Sequence, residues 1–189
     1  MKRGKRMKKE LSVKDIVAIG IGAAVFVILF RFIAIPSGFP NTELQVAYGF
    51  LALMGALFGP IPAALIGFIG HTIKDFTMYA SAWWTWIICS ALLGAAFGLI
   101  GRKFKLEEGI FTKKDIISFN IWQVLANGVI WGLVAPTLDV IIYAEPANKV
   151  YIQGVISLIN NAVATGVVGT LLMIAYAASR TKKGSLSKD

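Results

Sequence analysis

Six apolar stretches alternate with short polar breaks along this chain. They run approximately over Val13–Ile35, Glu43–Phe58, Ile61–Tyr79, Ala82–Ile100, Ile116–Ala135 and Val150–Ala177. About 20 predominantly apolar residues cross a bilayer as a helix, so several of these stretches are long enough to span. The breaks carry helix-stopping chemistry. Pro36-Ser37-Gly38-Phe39-Pro40-Asn41 ends the first stretch, and Gly59-Pro60-Ile61-Pro62 separates the second from the third. Thr112 stands as an N-cap before Lys113-Lys114-Asp115, and the link Pro136–Lys149 holds apolar Val140–Tyr143 before Glu145-Pro146-Ala147-Asn148. The second stretch is short. A re-entrant hairpin made with the third is one arrangement; two short crossings are the preferred one, because non-helical backbone inside a membrane needs protein or water around it. The pattern predicts an all-α membrane protein of six transmembrane helices, a single domain over residues 1–189.

The polar breaks differ in charge, and that orients the pattern. Lys2, Arg3, Lys5, Arg6, Lys8 and Lys9 precede the first stretch, Arg102, Lys103, Lys105, Lys113 and Lys114 follow the fourth, and Arg180, Lys182, Lys183 and Lys188 follow the sixth. Only an even number of crossings between these segments puts them on one side. The positive-inside rule makes that side the cytoplasm, with residues 1–11 and 179–189 as basic cytoplasmic tails in the cell membrane. The net charge of +9 therefore reads as topology signal and lipid contact, not nucleic-acid binding. The hydrophobic fraction of 57% exceeds the roughly 45–50% of soluble domains. Five further stretches follow the first, so it reads as a retained helix and not a cleaved leader. A Gly-x-x-x-x-Gly-Lys-Ser/Thr phosphate loop is absent, so energy must come from a partner or a gradient. Cys89 is the only cysteine, which excludes an internal disulfide and reads as a small buried apolar residue.

Candidate chemistry lies inside the stretches. Asn120, Gln123, Asn127 and Trp131 share one face of the fifth; Gln153, Ser157, Asn160 and Asn161 form a stripe on the sixth. Uncharged polar groups in lipid need partners, so both stripes should face inward. Asn120 and Asn161 read as structural; Gln123, Asn127, Trp131, Gln153, Ser157 and Asn160 read as ligand contacts. Trp83, Trp84 and Trp86 mark an outer interface. Successive residues are about 100° apart on a helix, so at least one indole should point inward. His71, the only histidine, reads first as a hydrogen-bonded helix-end residue, with substrate contact or axial ligation of a tetrapyrrole metal as the functional options. Lys74 and Asp75 read as a solvated outer end. No acidic residue is expected centrally in any stretch, which disfavours membrane hydrolases, ion channels and proton-coupled carriers. Ala18-x-x-x-Gly22 and Gly20-x-x-x-Ala24 each have the spacing that lets another helix approach closely in lipid.

Five runs carry a resemblance over the full length: Gly38-Phe39-Pro40-Asn41, Gly70-His71-Thr72-Ile73-Lys74-Asp75, Ser81-Ala82-Trp83-Trp84, Ala135-Pro136-Thr137-Leu138-Asp139 and Glu145-Pro146-Ala147-Asn148-Lys149-Val150-Tyr151; Lys183-Gly184-Ser185-Leu186 fits as well. The chain resembles the substrate-binding S components of energy-coupling factor (ECF) transporters, in the riboflavin-transporter-like group and a branch of it found in Gram-positive bacteria. The resemblance implies a six-helix, non-enzymatic subunit that binds a vitamin from outside. It works with a transmembrane T component and two ATPases, which use the ATP and Mg; it has no cofactor or metal of its own. It implies a pocket under the loop between helices one and two, lined chiefly by helices four to six. Phe39, Asn41, His71, Trp84 and Trp86 thereby join the six residues of the stripes as candidate ligand contacts. It also implies that Ala18, Gly20, Gly22 and Ala24, in one of two registers, meet the T component. Similarity to corrinoid-binding members puts cobalamin first among substrates, riboflavin or a thiamine-related pyrimidine second, and haem third through His71. A scaffold subunit without ligand is the reading from a different class.

The orientation is testable directly. In a Cys89→Ser background, Glu107→Cys and Leu186→Cys should be shielded from an impermeant thiol reagent in intact cells; labelling of either from outside would overturn the topology.

Overall fold

The computed structural model describes residues 11–40 and 42–180. The basic tail over 1–10, Asn41 and residues 181–189, including Lys183-Gly184-Ser185-Leu186, lie outside the described residues. Six helical rods form the body: α1 (Val13–Phe32), α2 (Ala47–Phe58), α3 (Pro60–Tyr79), α4 (Trp84–Gly101), α5 (Lys113–Tyr143) and α6 (Ala147–Ser179). Four of them, α1, α4, α5 and α6, are long and apolar enough to cross a membrane. The protein is a helical membrane protein.

Local chemistry explains where the rods begin. Ser12 and Asp15 form a capping box at α1: Ser12 Oγ accepts from the Asp15 backbone N–H at 3.2 Å, and Asp15 Oδ2 accepts from the Ser12 N–H at 2.9 Å. Thr112 and Asp115 repeat it at α5, as the predicted N-cap requires. Between α2 and α3 stands Gly59 alone, with φ of 87°, a left-handed value that glycine adopts without penalty.

One departure from an all-helical chain is small but consequential. Ala34–Pro36 (β1) and Glu43–Gln45 (β2) pair antiparallel, Ala34 opposite Gln45 and Pro36 opposite Glu43. The predicted break thus falls at a β-hairpin, with residues 37–40 following β1 outside both strands. Strand alternation buries Gln45 while Leu44 stays partly exposed. The first and second stretches are correspondingly shorter as helices than their hydropathy suggests.

A second departure is the link Pro136–Lys149. It is not a loop up to Glu145: α5 continues through Pro136 to Tyr143, leaving three residues before α6. A proline inside a helix loses one backbone bond and clashes with the preceding turn. A π turn at Ile130–Val134 widens the helix just before Pro136. Thr137 Oγ1 then donates to the Leu133 carbonyl at 2.6 Å. A second π turn, Thr165–Gly169, interrupts α6.

The rods give the molecule two chemically different ends. Lys14 lies 3.4 Å from Glu107 and over the Phe58 ring at 5.5 Å, and Gly109 abuts the Arg180 carbonyl. The start of α1, the Gly59 joint, the α4–α5 link with its basic residues and the end of α6 therefore gather at one end. The hairpin, the end of α3, the start of α4 and the α5–α6 junction gather at the other. α2 runs from that second end down to the basic end.

The core between these ends is held by close backbone approach. A Cβ on Gly98 would lie 2.3 Å from the Pro60 Cα and N, so α4 touches the start of α3 without intervening side chains. Phe26, Phe30 and Tyr48 pack edge to face at 5.3–5.7 Å between α1 and α2. Gly98→Ala should cost about 1–3 kcal/mol through overpacking against immovable backbone. Gly20→Ala, where nothing lies within 4 Å, should be neutral. Thermal unfolding of the two purified variants checks this; equal midpoints would refute the tight α3–α4 contact.

Candidate functional site: a charged aromatic cleft

The last three turns of α3 carry His71, Lys74 and Asp75, and all three are buried. This corrects the expectation of a solvated outer end. Neighbouring side chains stand about 100° apart, yet both Lys74 and Asp75 fall within the wide arc that α3 turns toward the other helices. Asp75, only 3% exposed, is a charge inside the bundle where none was expected.

These residues belong to one hydrogen-bonded chain. Tyr48 OH lies 2.9 Å from Ser90 Oγ, which lies 2.7 Å from His71 Nδ1. His71 Nε2 is 3.5 Å from Asp75 Oδ1, and Lys74 Nζ donates to the same oxygen at 3.4 Å. Lys74 Nζ also sits over the rings of Phe30 and Tyr79, at 4.8 and 4.6 Å. The other carboxylate oxygen, Asp75 Oδ2, accepts from the Trp83 backbone N–H at 3.0 Å.

Asp139 is the second buried carboxylate, 2% exposed. It stands on the part of α5 beyond Pro136. Its Oδ1 accepts from Trp83 Nε1 at 2.9 Å and from the Thr85 hydroxyl, and its Oδ2 accepts from Trp86 Nε1 at 2.7 Å. Among the described residues its partners are these three neutral donors. Tyr143, one turn further on, packs its ring 4.5 Å from Trp83 and its hydroxyl accepts from the Trp84 N–H at 3.2 Å.

Two adjoining spaces open among these groups. The outer cleft, about 300 Å³, is lined by His71, Lys74, Asp75, Trp83, Trp86, Asp139, Glu145, Lys149 and Gln153, with Tyr79, Ser81 and Val150. A smaller space of about 40 Å³ lies against Gln45, Tyr48, Trp131, Ser157 and Asn161 and shares His71, Lys74, Tyr79 and Trp86 with the first. Of the candidate ligand contacts, His71, Trp86, Gln153, Trp131 and Ser157 line these spaces.

The others lie elsewhere. Trp84 is 46% exposed and stacks outward on Phe68 at 6.3 Å. Gln123 and Asn127 are buried in the α5–α6 seam: Asn127 Nδ2 donates to the Gln123 carbonyl and Oε1, and Gln123 Nε2 donates to the Ala162 carbonyl at 3.1 Å. Asn120 joins this seam through Thr170 at 3.0 Å. Asn160 is half-buried and Phe39, on the hairpin turn, is half-exposed; neither lines the spaces. Asn161, expected to be structural, lines the smaller space. Sequence reading missed Asp139, because Pro136 reads as a helix stop, and Gln45, because two strands of three residues leave no periodic signal.

The two small-residue registers on α1 separate cleanly. Ala18 and Gly22 face inward, and a Cβ on Gly22 would meet Ile66 at 2.6 Å. Gly20 and Ala24 face outward.

Comparison with known proteins gives a consistent result. The family model for ECF-type riboflavin transporter S components matches residues 10–178. A UPF0397 protein of Enterococcus faecalis (strain ATCC 700802 / V583) is 62% identical over 183 residues, covering 97% of this chain and 100% of the relative. A UPF0397 protein of Staphylococcus aureus (strain Mu3 / ATCC 700698) is 57% identical over 182 residues, covering 96% and 99%.

The geometry makes Asp139 the residue that positions two indoles. Asp139→Ala strands three donors, at about 1–3 kcal/mol for each that stays buried. Its thermal midpoint should fall and its tryptophan emission shift to the red, while Asp139→Asn, keeping one oxygen, falls between. Unchanged emission and midpoint in Asp139→Ala would show that the indoles are held by something else.

Proposed function

Because the chain belongs to the S components of ECF-type riboflavin transporters, we propose that it captures a small planar vitamin in the cleft lined by Trp83, Trp86 and Asp139 and presents it to a T component and two ATPases. The observation that carries this reading is the position of the cleft: it opens at the end of the molecule opposite Lys14, Arg102, Lys103, Lys105, Lys113, Lys114 and Arg180. With the basic end in the cytoplasm, the cleft faces outside. On this reading all six rods cross the membrane. α2 is about 18 Å long, short of the ~30 Å hydrocarbon thickness, and the hairpin completes its path. The protein performs no chemistry; ATP and Mg act in the partner ATPases.

The cleft bears on the substrate. Its volume of about 300 Å³ lies at the low end of the ~300–1,000 Å³ usual for small-molecule sites. That favours a flavin or a pyrimidine over a corrinoid, so riboflavin or a thiamine-related pyrimidine replaces cobalamin as the lead. Indole faces supply stacking area for a planar ring. Pairing Lys74 with Asp75 and Lys149 with Glu145 leaves Asp139 as surplus negative charge, which suits a ring edge bearing N–H donors. Haem is disfavoured because both ring nitrogens of His71 already have partners. A scaffold without ligand is disfavoured because burying a charge network is costly and gives such a protein nothing.

The T component docks, on this reading, on the outward register of α1, where Gly20 and Ala24 leave room for a second helix. Gly20→Trp and Ala24→Trp should bind vitamin like the parent but lose the T component on purification and abolish uptake. Gly22→Trp should instead fail to fold, since its side chain meets Ile66. Parent-level uptake in both outward variants would overturn the docking face. Titration of the parent with riboflavin, the hydroxymethyl aminopyrimidine and cobalamin accompanies it; tight binding of cobalamin alone would overturn the substrate choice.

A further inference from the structure

The small inner space has a chemistry of its own. Seven buried side-chain polar atoms among the described residues have no hydrogen-bond partner, and four belong to side chains that line this one space: Gln45 Oε1, Trp131 Nε1, Ser157 Oγ and Asn161 Oδ1. Each of these residues is at most 4% exposed. Buried polar groups in folded proteins are almost always paired, so four unpaired ones around a single cavity point to a missing partner.

The identities of the atoms restrict that partner. Gln45 Nε2 donates to Glu43 Oε2 at 2.6 Å, which fixes the amide with its oxygen as the free group, an acceptor. The indole Nε1–H of Trp131 is a donor and nothing else. The partner must therefore donate to one and accept from the other. A carboxylate or phosphate leaves Gln45 Oε1 unpaired and meets the Glu43 carboxylate, which lines the same space. An ammonium leaves Trp131 unpaired. A neutral hydroxyl or amide serves both, and Ser157 adapts to either role. The space of about 40 Å³ holds such a group but no ring; one water needs roughly 10–15 Å³ of it.

We propose that this space is a second subsite that seats an uncharged hydroxyl or amide substituent of the ligand whose ring occupies the outer cleft. The proposal rests on the vitamin-binding reading. Trp86, Tyr79, His71 and Lys74 line both spaces, so the two adjoin, and a ligand spanning both lies against these four side chains. The subsite makes the protein select a neutral vitamin over its phosphate ester, and it joins the hairpin, through Gln45, to α5 and α6, through Trp131, Ser157 and Asn161.

The test uses purified full-length protein. Riboflavin and the hydroxymethyl aminopyrimidine are each titrated against their phosphate esters, and the ligand-free thermal midpoint is measured for the parent, Ser157→Ala and Trp131→Phe. Whichever vitamin binds should bind at least tenfold tighter than its ester, and Ser157→Ala should weaken it about tenfold. The ligand-free midpoint of both variants should be unchanged or higher, because each removes a group that has no partner until ligand arrives. Equal affinity for vitamin and ester overturns the proposal. So does a lower ligand-free midpoint in both variants, which is the mark of a structural, water-filled space. If neither vitamin binds, the choice of vitamins fails separately, and the midpoints still decide for or against the subsite.

Discussion

The bonds that Asp139 accepts from Trp83, Thr85 and Trp86 organise the cleft end of the molecule. They cross from the start of α4 to the far end of α5. They hold two indoles whose faces and edges form one wall of the cleft. Through the Trp83 backbone N–H the same turn of α4 is tied to Asp75, and through Asp75 to His71, Ser90 and Tyr48. Four helices thus meet on two carboxylates. Both carboxylates are at most 3% exposed, so little water competes for these bonds, and the arrangement is worth more as a constraint than its individual bonds suggest.

That constraint needs α5 to reach Asp139 as a helix, and the backbone provides for it. The π turn at Ile130–Val134 takes up the extra width that Pro136 demands, and the helix resumes with Asp139 directed inward. An uninterrupted α-helix from Lys113 would carry Asp139 at a different angle relative to Gln123 and Asn127, since a π turn adds a residue to the path and rotates all that follows. The seam of amides below and the carboxylate above can therefore both face the interior, although a single 3.6-residue period does not place them on one stripe.

This explains what was legible in the amino-acid pattern. Apolar runs and basic flanks marked the six rods and both ends, because hydropathy and charge act residue by residue. Thr112 marked its helix start by local chemistry alone. The inward direction of Gln123, Asn127 and Trp131 was legible from spacing, but not that Asn127 donates to Gln123 within the seam while Trp131 is left for the inner space. Lys74 and Asp75 were illegible for another reason: a charged pair at a helix end is usually solvated, and only the packing of α1, α4 and the hairpin around it buries it. Gln45 depends on a two-strand register that three-residue strands do not announce.

The distribution of unpaired groups carries the argument one step further. The Asp75 and Asp139 networks use both oxygens of each carboxylate, whereas Asn127 Oδ1, Asn160 Nδ2 and Thr165 Oγ1 stay open along α5 and α6. The other four of the seven open groups sit together where the hairpin, α5 and α6 converge. A helix in place of the hairpin would bond its own backbone and present side chains every 3.6 residues. An extended strand instead sends alternate residues to opposite faces, so Gln45 enters the interior while its neighbours do not. Glu43 then holds the Gln45 amide nitrogen and leaves the oxygen facing no protein partner. The one wall of the inner space that is not helical is thus the wall whose acceptor is oriented in advance, which is the arrangement expected where recognition and not packing sets the geometry.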